Sequence, residues 1–508
     1  MQVKFEKGGA FGALKGVLIS IVSQEDVQRS KKCGLKGFFE SVSGSPQKEI
    51  ENVFLRDAKR ENFLGKHLSA LFLRNGSDVG PQAIFFVGFE LPKNGGSEGK
   101  FKYFHSLRKL GQTINEMAKK HRFDTVSIVG KILSTLNEDE SFAIVEGAEL
   151  SNYSFTKYRS KNGDEFYGIK NYSFYSRRTP QKGDLKAKQF ALEATLRARD
   201  LVNMPARECT PSYMVKVAKK ISSESGLNIK VFNNTALTKM GADLMLSVFR
   251  SSNEEPFLIR MHYKPLGKSK KKIIFVGKGV TFDSGGLSIK SGNGMFDMKC
   301  DMAGGAAVMY AMGAIGRIKP QVEVIAYVPT TENMIRDTST RPGDVATSLN
   351  GKTVEILNTD AEGRLILADA LVLADREKGD LIIDLATLTG SIVGAIGSDY
   401  AGIYSNDDKI AGALIDTAAT CSERLWRMPL APEYRDRLKS PVADIKNIGG
   451  AEAGNILAGL FLQEFVKDTP WVHIDLAGPA FLDADRGYQK KGGTGFALRS
   501  LVEYVCSL

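Results

Sequence analysis

KTVEILNTDAEGRLILADALVLADRE, residues 352–377, is the stretch on which the fold turns. A β-rich run, KTVEILNT, passes through a short acidic turn into GRLILADALVLADRE, whose apolar spacing is helical. Strand, turn and helix in that order are the unit of a layered α/β architecture. At the turn, Asp360, Glu362 and Arg364 stand at i, i+2 and i+4, a spacing that in extended chain sends all three side chains to one side. On its own the cluster has two readings. It is either helix-start electrostatics, since carboxylates suit helix N-termini, or a site holding something strongly charged.

The same alternation runs outward in both directions. NIKVFN, KKIIFVGKGV, VEVIAYVP, DLIIDLAT and WVHIDLAG are further β-rich runs, with GGAAVMYAMGAIGR and NILAGLFLQEFVKD helical between them. Several of the strands are apolar on both faces, which predicts a mostly parallel central sheet covered on both sides, an α/β/α domain with ligands at the carboxyl ends of strands. A helical pattern, AKQFALEATLRARDLVNMP, stopped by Pro205, opens this domain, which is assigned to residues 186–508. Residues 1–185 read as a smaller N-terminal α/β domain plus linker. In it VLISIV, QAIFFVGFE and FDTVSIV are strands, LSALFLRNG and INEMAKKHR are pieces between them, and the polar, aromatic stretch 149–188 supplies edge strands and a linker around RRTPQKGD. A chain of 508 residues is long for one core, in keeping with two domains.

Composition narrows the function classes. The chain is 43% hydrophobic and 25% charged, with no apolar run near the ~20 residues of a spanning helix and no secretory signal at its start, so a cytoplasmic location is expected. Cys33, Cys209, Cys300, Cys421 and Cys506 are odd in number and lack CxxC spacing, which argues against a disulfide framework. The five histidines never fall in HExxH or HxH spacing, so a metal site would have to use other ligands. The net charge of +11 is uneven: residues 1–184 hold 29 Lys+Arg against 21 Asp+Glu. A basic leading domain favours either a plain solvated surface or an acidic partner such as nucleic acid, yet no nucleic-acid motif accompanies it.

A second stretch tips the balance on the acidic turn. VGKGVTFDSGGLSIKSGNGMFDMKCDMAGG, residues 276–305, also leaves an apolar strand, enters a Gly-rich turn and ends in a small-residue helix. Two strand ends, expected in one sheet, thus present Asp283, Asp301, Asp360 and Glu362. Clustered carboxylates are costly to bury unless cations neutralise them, and four oxygen donors suit two divalent ions sharing a bridging water. Such ions lower the pKa of that water and polarise a carbonyl, which is hydrolase chemistry without histidine. Competing motifs fail: GKT at 351–353 lacks the upstream phosphate-loop glycine, which is Ala346, and no GxSxG elbow surrounds Ser284.

NTDAEGRL, together with VGKGVTFDSGGLSIK, MKCDMAGG, RPGDV, DLATLTG and WVHIDLAG in this order, resembles the leucyl aminopeptidase family of dinuclear zinc metallopeptidases from about Lys186 onward. The resemblance implies an exopeptidase that removes N-terminal, leucine-like residues from short peptides through a metal-bridging hydroxide. It implies that Lys278, Asp283, Asp301 and Glu362 hold a tight metal ion, and that Asp283, Asp360 and Glu362 hold an exchangeable one. From residue type alone, Lys278 reads instead as an ion-pair partner. The resemblance further implies Lys290 as the group polarising the scissile carbonyl and Arg364 as the holder of a bicarbonate. It implies Met298, Thr387, Leu388, Gly390, Ala477 and Ala480 as the substrate pocket, although Met298 by type alone equally suits a core. Implied cofactors are two divalent ions per subunit: zinc, with manganese, cobalt or magnesium at the exchangeable position. Implied partners are peptides with a free N-terminus and further copies of the chain in a homohexamer, with no membrane. A nucleic-acid-binding role of the basic leading domain is the alternative, as an addition to the enzyme activity.

Overall fold

The computed structural model describes residues 1–33, 35–39, 42–43, 48–74, 81–160 and 168–508. Two compact units form: Met1–Lys188 with Asp485–Lys490, and Gln189–Ala484 with Lys491–Leu508. Each is an α/β domain built on its own sheet.

The first unit has a six-stranded mixed sheet in the order Gln2–Lys7, Asn171–Ser176, Thr125–Val129, Val17–Val22, Ala83–Gly88, Ala70–Arg74. All pairings are parallel except that of Ala70–Arg74, which runs antiparallel to Ala83–Gly88. Val17–Val22 and Ala83–Gly88 are buried along their whole length, which is why VLISIV and AIFFVG read as strands without alternation. Two expectations change here. LSALFLRNG is not merely a piece between strands: Ala70–Arg74 is an edge strand whose Leu71 and Leu73 alternate into the core, while residues 75 and 76 lie outside the described ones. NYSFYS is not an edge strand. Asn171–Ser176 sits inside the sheet between Gln2–Lys7 and Thr125–Val129, with Tyr172 and Phe174 buried on one face; residues 161–167 of the same polar stretch lie outside the described ones. INEMAKKHR forms the last turns of the helix Gly96–His121.

The second unit is a nine-stranded, mostly parallel sheet. Its path runs Arg424–Arg427, Tyr400–Ser405, Trp471–Asp475, Leu381–Ala386, Lys272–Gly277, Glu323–Asn333, Phe257–Tyr263, Asn228–Asn233, and Gly279–Asp283 adds to Glu323–Asn333. Lys272–Gly277 and Gly279–Asp283 lie in succession, both parallel, along the long strand Glu323–Asn333, with Lys278 between them. The helix Ala303–Ile318 packs on this sheet at very close range: a Cβ on Gly304 would lie 2.2 Å from the Leu385 carbonyl oxygen. The helix Glu362–Arg376 is buried over most of its circumference, with Ile366, Leu367 and Leu371 in one cluster with Ile274, Val276 and Trp471. Among the described residues, no helix is long and apolar enough to cross a membrane.

KTVEILNT is a strand, but not of this sheet. Thr353–Ile356 belongs to a separate three-stranded sheet, antiparallel to Asp344–Thr347 and parallel to Ile445–Lys446. The acidic residues therefore do not come from two strand ends of one sheet. Its burial alternates, Val354 and Ile356 in and Thr353 and Glu355 partly out, the pattern of a strand covered on one face only.

Candidate active site

Asp283 ends the strand Gly279–Asp283, Asp301 follows the 3-10 turn Met298–Cys300, and Glu362 is the first residue of the helix Glu362–Arg376. Carboxylate oxygens of these three buried residues lie within 4.8 Å of one another. The alternating, extended reading of residues 360–364 does not hold: Glu362 and Arg364 already lie in the helix, so Asp360 joins the cluster from the preceding turn.

Lys278 stands in the middle, 3% exposed, its Nζ 2.8 Å from Asp301 Oδ1, 2.8 Å from Glu362 Oε1, and donating to the Thr387 carbonyl at 3.0 Å. Room for it depends on Gly363, where an added Cβ would fall 2.7 Å from both Cε and Nζ of the lysine. Asp283 Oδ1 accepts from Gly285 N at 2.9 Å and Asn333 Nδ2 at 2.8 Å. Its Oδ2 lies 2.9 Å from Lys290 Nζ, which also contacts Asp360.

Four carboxylates thus face two ammonium groups, and the titration behaviour follows. Burial pushes Asp301 well above the ordinary carboxylate range; Lys278 pulls it back, and Glu362 and Asp283 push it further up. Glu362 and Asp360 are raised in the same way, by burial first and by Asp283 next. For Lys278 and Lys290 burial works against the charge, but the surrounding carboxylates outweigh it and raise both. Asp301 Oδ2 and Glu362 Oε2 are buried without a hydrogen-bond donor, while Oε1 of Glu362 lies 2.8 Å from Lys278 Nζ. Buried carboxylate oxygens left without donors, in a cluster short of positive charge, form a donor set that fits divalent cations.

Arg364 is 7% exposed; its Nη1 donates to the Asn447 carbonyl at 2.6 Å, while Nε is buried without a partner. Burial lowers its pKa to about 10, with Glu362 and Asp475 acting to hold it up, so the group stays cationic at neutral pH. A buried guanidinium with donors to spare suits an anion.

The residues expected to receive the substrate side chain fall on neighbouring loops, a 3-10 turn and a helix start. Thr387 Oγ1 donates to Asp301 Oδ1 at 2.7 Å, tying the loop directly to the acidic cluster. Asp475 Oδ1 accepts from Leu388 N at 3.1 Å and Ala477 N at 3.3 Å, so one buried carboxylate joins the two loops. Gly390 starts the helix Gly390–Ile396, Ala480 is buried further along the second loop, and Met298 shares a turn with Asp301. His473 stays with the strands: its Nδ1 lies 2.5 Å from Asp384 Oδ1, and Trp471 Nε1 donates to Asp384 Oδ2 at 2.6 Å.

Sequence reasoning missed the residues that brace this assembly. Asn333 Nδ2 donates to Asp283 and, at 3.0 Å, to the Thr359 carbonyl; Thr359 Oγ1 donates to the Gly285 carbonyl at 2.7 Å and accepts from Ser288 N at 2.8 Å. Asn333 and Asn447 carry no local signal. Asp475 carries one, an acid at the carboxyl end of an apolar strand.

Comparison with known proteins agrees along the chain. Residues 196–502 match the model of the cytosol aminopeptidase family's catalytic domain, and residues 40–162 that of its N-terminal domain. A probable cytosol aminopeptidase of Trichormus variabilis is 40% identical over 450 residues, covering 88% of this chain and 90% of that protein. One from Solibacter usitatus is 40% identical over 441 residues, covering 86% and 89%. Among solved structures, a tomato leucine aminopeptidase variant superposes with a TM-score of 0.84 at 30% identity, covering 100% of this chain and 97% of that one. The bottromycin maturation enzyme BotP in complex with Mn gives a TM-score of 0.80 at 29% identity, covering 97% and 99%.

Proposed function

The chain belongs to the cytosol aminopeptidase family and is a metallopeptidase of the leucyl aminopeptidase type, and on that premise we propose how its residues divide the work. Lys278, Asp283, Asp301 and Glu362 would hold one divalent ion tightly, and Asp283, Asp360 and Glu362 a second, exchangeable one. The observation that carries this reading is the buried Asp301 Oδ2 and Glu362 Oε2, left without a donor beside Lys278. Lys278 would have to give up its proton to serve as a ligand, a loss that adjacent dications would favour. Bound there, zinc, manganese or cobalt would supply Lewis acidity and an acidified water for attack on the peptide carbonyl.

The remaining steps belong to side chains. Lys290, at the partly exposed rim between Asp283 and Asp360, donates to the scissile carbonyl oxygen and stabilises the tetrahedral oxyanion. Arg364 would hold a bicarbonate, its unpaired Nε being one donor toward it, and that anion when bound would supply a base beside the water. Met298, Thr387, Leu388, Gly390, Ala477 and Ala480 receive the first side chain, and their mostly apolar character favours leucine-like residues. Substrates are short peptides with a free N-terminus, since a blocked amine loses a metal-directed contact. A cytoplasmic homohexamer is the expected working form, and light scattering that returned a monomer would remove the assembly from the proposal.

Hydrolysis of a leucyl anilide after loading with zinc, manganese or cobalt tests the reading. Asp360→Ala is expected to abolish turnover while the protein stays folded by circular dichroism; retained turnover would overturn the ligand assignment.

A further inference from the structure

Asn447 follows the two-residue strand Ile445–Lys446 and is 0% exposed. Its backbone N–H donates to the Glu355 carbonyl at 2.9 Å, continuing the parallel ladder in which Val354 faces Ile445 and Glu355 faces Lys446. Beyond that point the side chain replaces the ladder. Oδ1 accepts from Leu357 N at 2.9 Å and Asn358 N at 3.3 Å, while Nδ2 donates to the Asn358 carbonyl at 2.7 Å. Asn358 Oδ1 in turn accepts from Asp360 N at 2.8 Å. On the other side, the carbonyl of the same Asn447 accepts from Arg364 Nη1 at 2.6 Å.

One buried residue therefore anchors the guanidinium through its backbone and the Asp360 turn through its side chain. We infer that Asn447 is a positioning residue for catalysis, fixing the turn that carries Asp360 against the anchor point of Arg364. The inference rests on the proposed roles of Asp360 and Arg364. It also explains the residue type. A planar amide presents an acceptor and a donor side by side, as a neighbouring strand would, and so reads both the N–H and the C=O of Asn358. An isosteric carboxylate would set an oxygen lone pair against the Asn358 carbonyl. Alanine would leave Leu357 N and the Asn358 carbonyl without their partner while keeping the Arg364 anchor, so the turn shifts relative to the guanidinium.

The test uses the full chain with Asn447→Ala and Asn447→Asp, alongside Asp360→Ala. For both Asn447 variants kcat on a leucyl anilide, normalised to metal-loaded sites, falls about 10- to 100-fold, the range for residues that orient metal ligands, and KM moves less than about threefold. Calorimetric titration of the metal-free protein with Mn²⁺ shows about tenfold weaker affinity for the more readily exchanged ion. Loss of fold alone would lower the fraction of loaded sites and leave both readouts per site unchanged. Should Asn447→Ala fail to fold, Asn447→Ser, whose hydroxyl can still accept from one N–H, serves in its place. Near wild-type kcat and Mn²⁺ affinity in folded Asn447 variants, with Asp360→Ala inactive, overturns the positioning role. An active Asp360→Ala instead overturns the reading on which it rests.

Discussion

The acidic cluster is assembled from two halves that are held in different ways. Lys278 and Asp283 belong to the nine-stranded sheet and Asp301 to the turn before the helix packed on it; Lys278 N donates to the Leu385 carbonyl at 3.0 Å and Gly305 N to the Lys278 carbonyl at 2.7 Å, and all three side chains are at most 5% exposed. Asp360 comes from a turn beyond a three-stranded sheet, and its side chain is 32% exposed. The first half is part of the domain core, so disturbing it disturbs folding. The second half is held by side-chain amides and hydroxyls, so disturbing it disturbs chemistry first. This contrast fits the proposed division between a tightly held and an exchangeable ion.

The sharpest way to break the contrast is to remove the central cation. In metal-free protein Lys278→Met leaves buried carboxylates without their partner, and urea unfolding should show a loss of about 3–5 kcal/mol, together with loss of turnover after metal loading. The partly exposed Asp360, changed to Ala, should cost under about 1 kcal/mol in the same measurement. Similar losses for the two would erase the distinction between the halves. Next in size is Gly363→Ala. The new methyl meets Lys278 at 2.7 Å and forces the side chain aside, so stability should drop by about 1–3 kcal/mol and activity with it. Unchanged melting and unchanged kcat would mean that the lysine is not confined as described.

The smallest effect concerns the helix that carries Glu362. Asp369, buried two turns further on, accepts from Met245 N at 3.1 Å and Leu349 N at 2.8 Å. Burial pushes its pKa up to about 6 from an ordinary 3.8, against the pull of those N–H donors. The folded chain then keeps a proton that the unfolded chain has released, so this residue's contribution makes stability fall as pH rises from about 4 to 6 and level off above. Asp369→Asn should flatten that slope in unfolding measured across pH 4–7; an undiminished slope would assign it to other groups.

What could be read from the sequence depended on how far apart the interacting residues lie. Val17–Val22, Lys272–Gly277 and Leu381–Ala386 were legible because fully buried strands leave uninterrupted apolar runs. The acidic positions were legible because close-set carboxylates after a strand demand an explanation. Which sheet Thr353–Ile356 joins was not, since its partners Asp344–Thr347 and Ile445–Lys446 leave no mark on the strand itself. The braces were hidden for the same reason: Asn447 meets Asn358 across 89 residues of chain, and Asn333 meets Asp283 across 50. Ala70–Arg74 was missed because one-sided burial of Leu71 and Leu73 over five residues is too short a pattern to tell from a loop.

The absence of a side chain at position 363 also sets an order on how such an enzyme can change over generations. A descendant that exchanged the lysine at 278 for something shorter would be free to fill the vacated space from 363. Once filled, that space would bar the lysine's return until it was emptied again, so the exchange works as a ratchet. A side chain at 363 therefore marks a chain in which the space of the lysine amine has been given up.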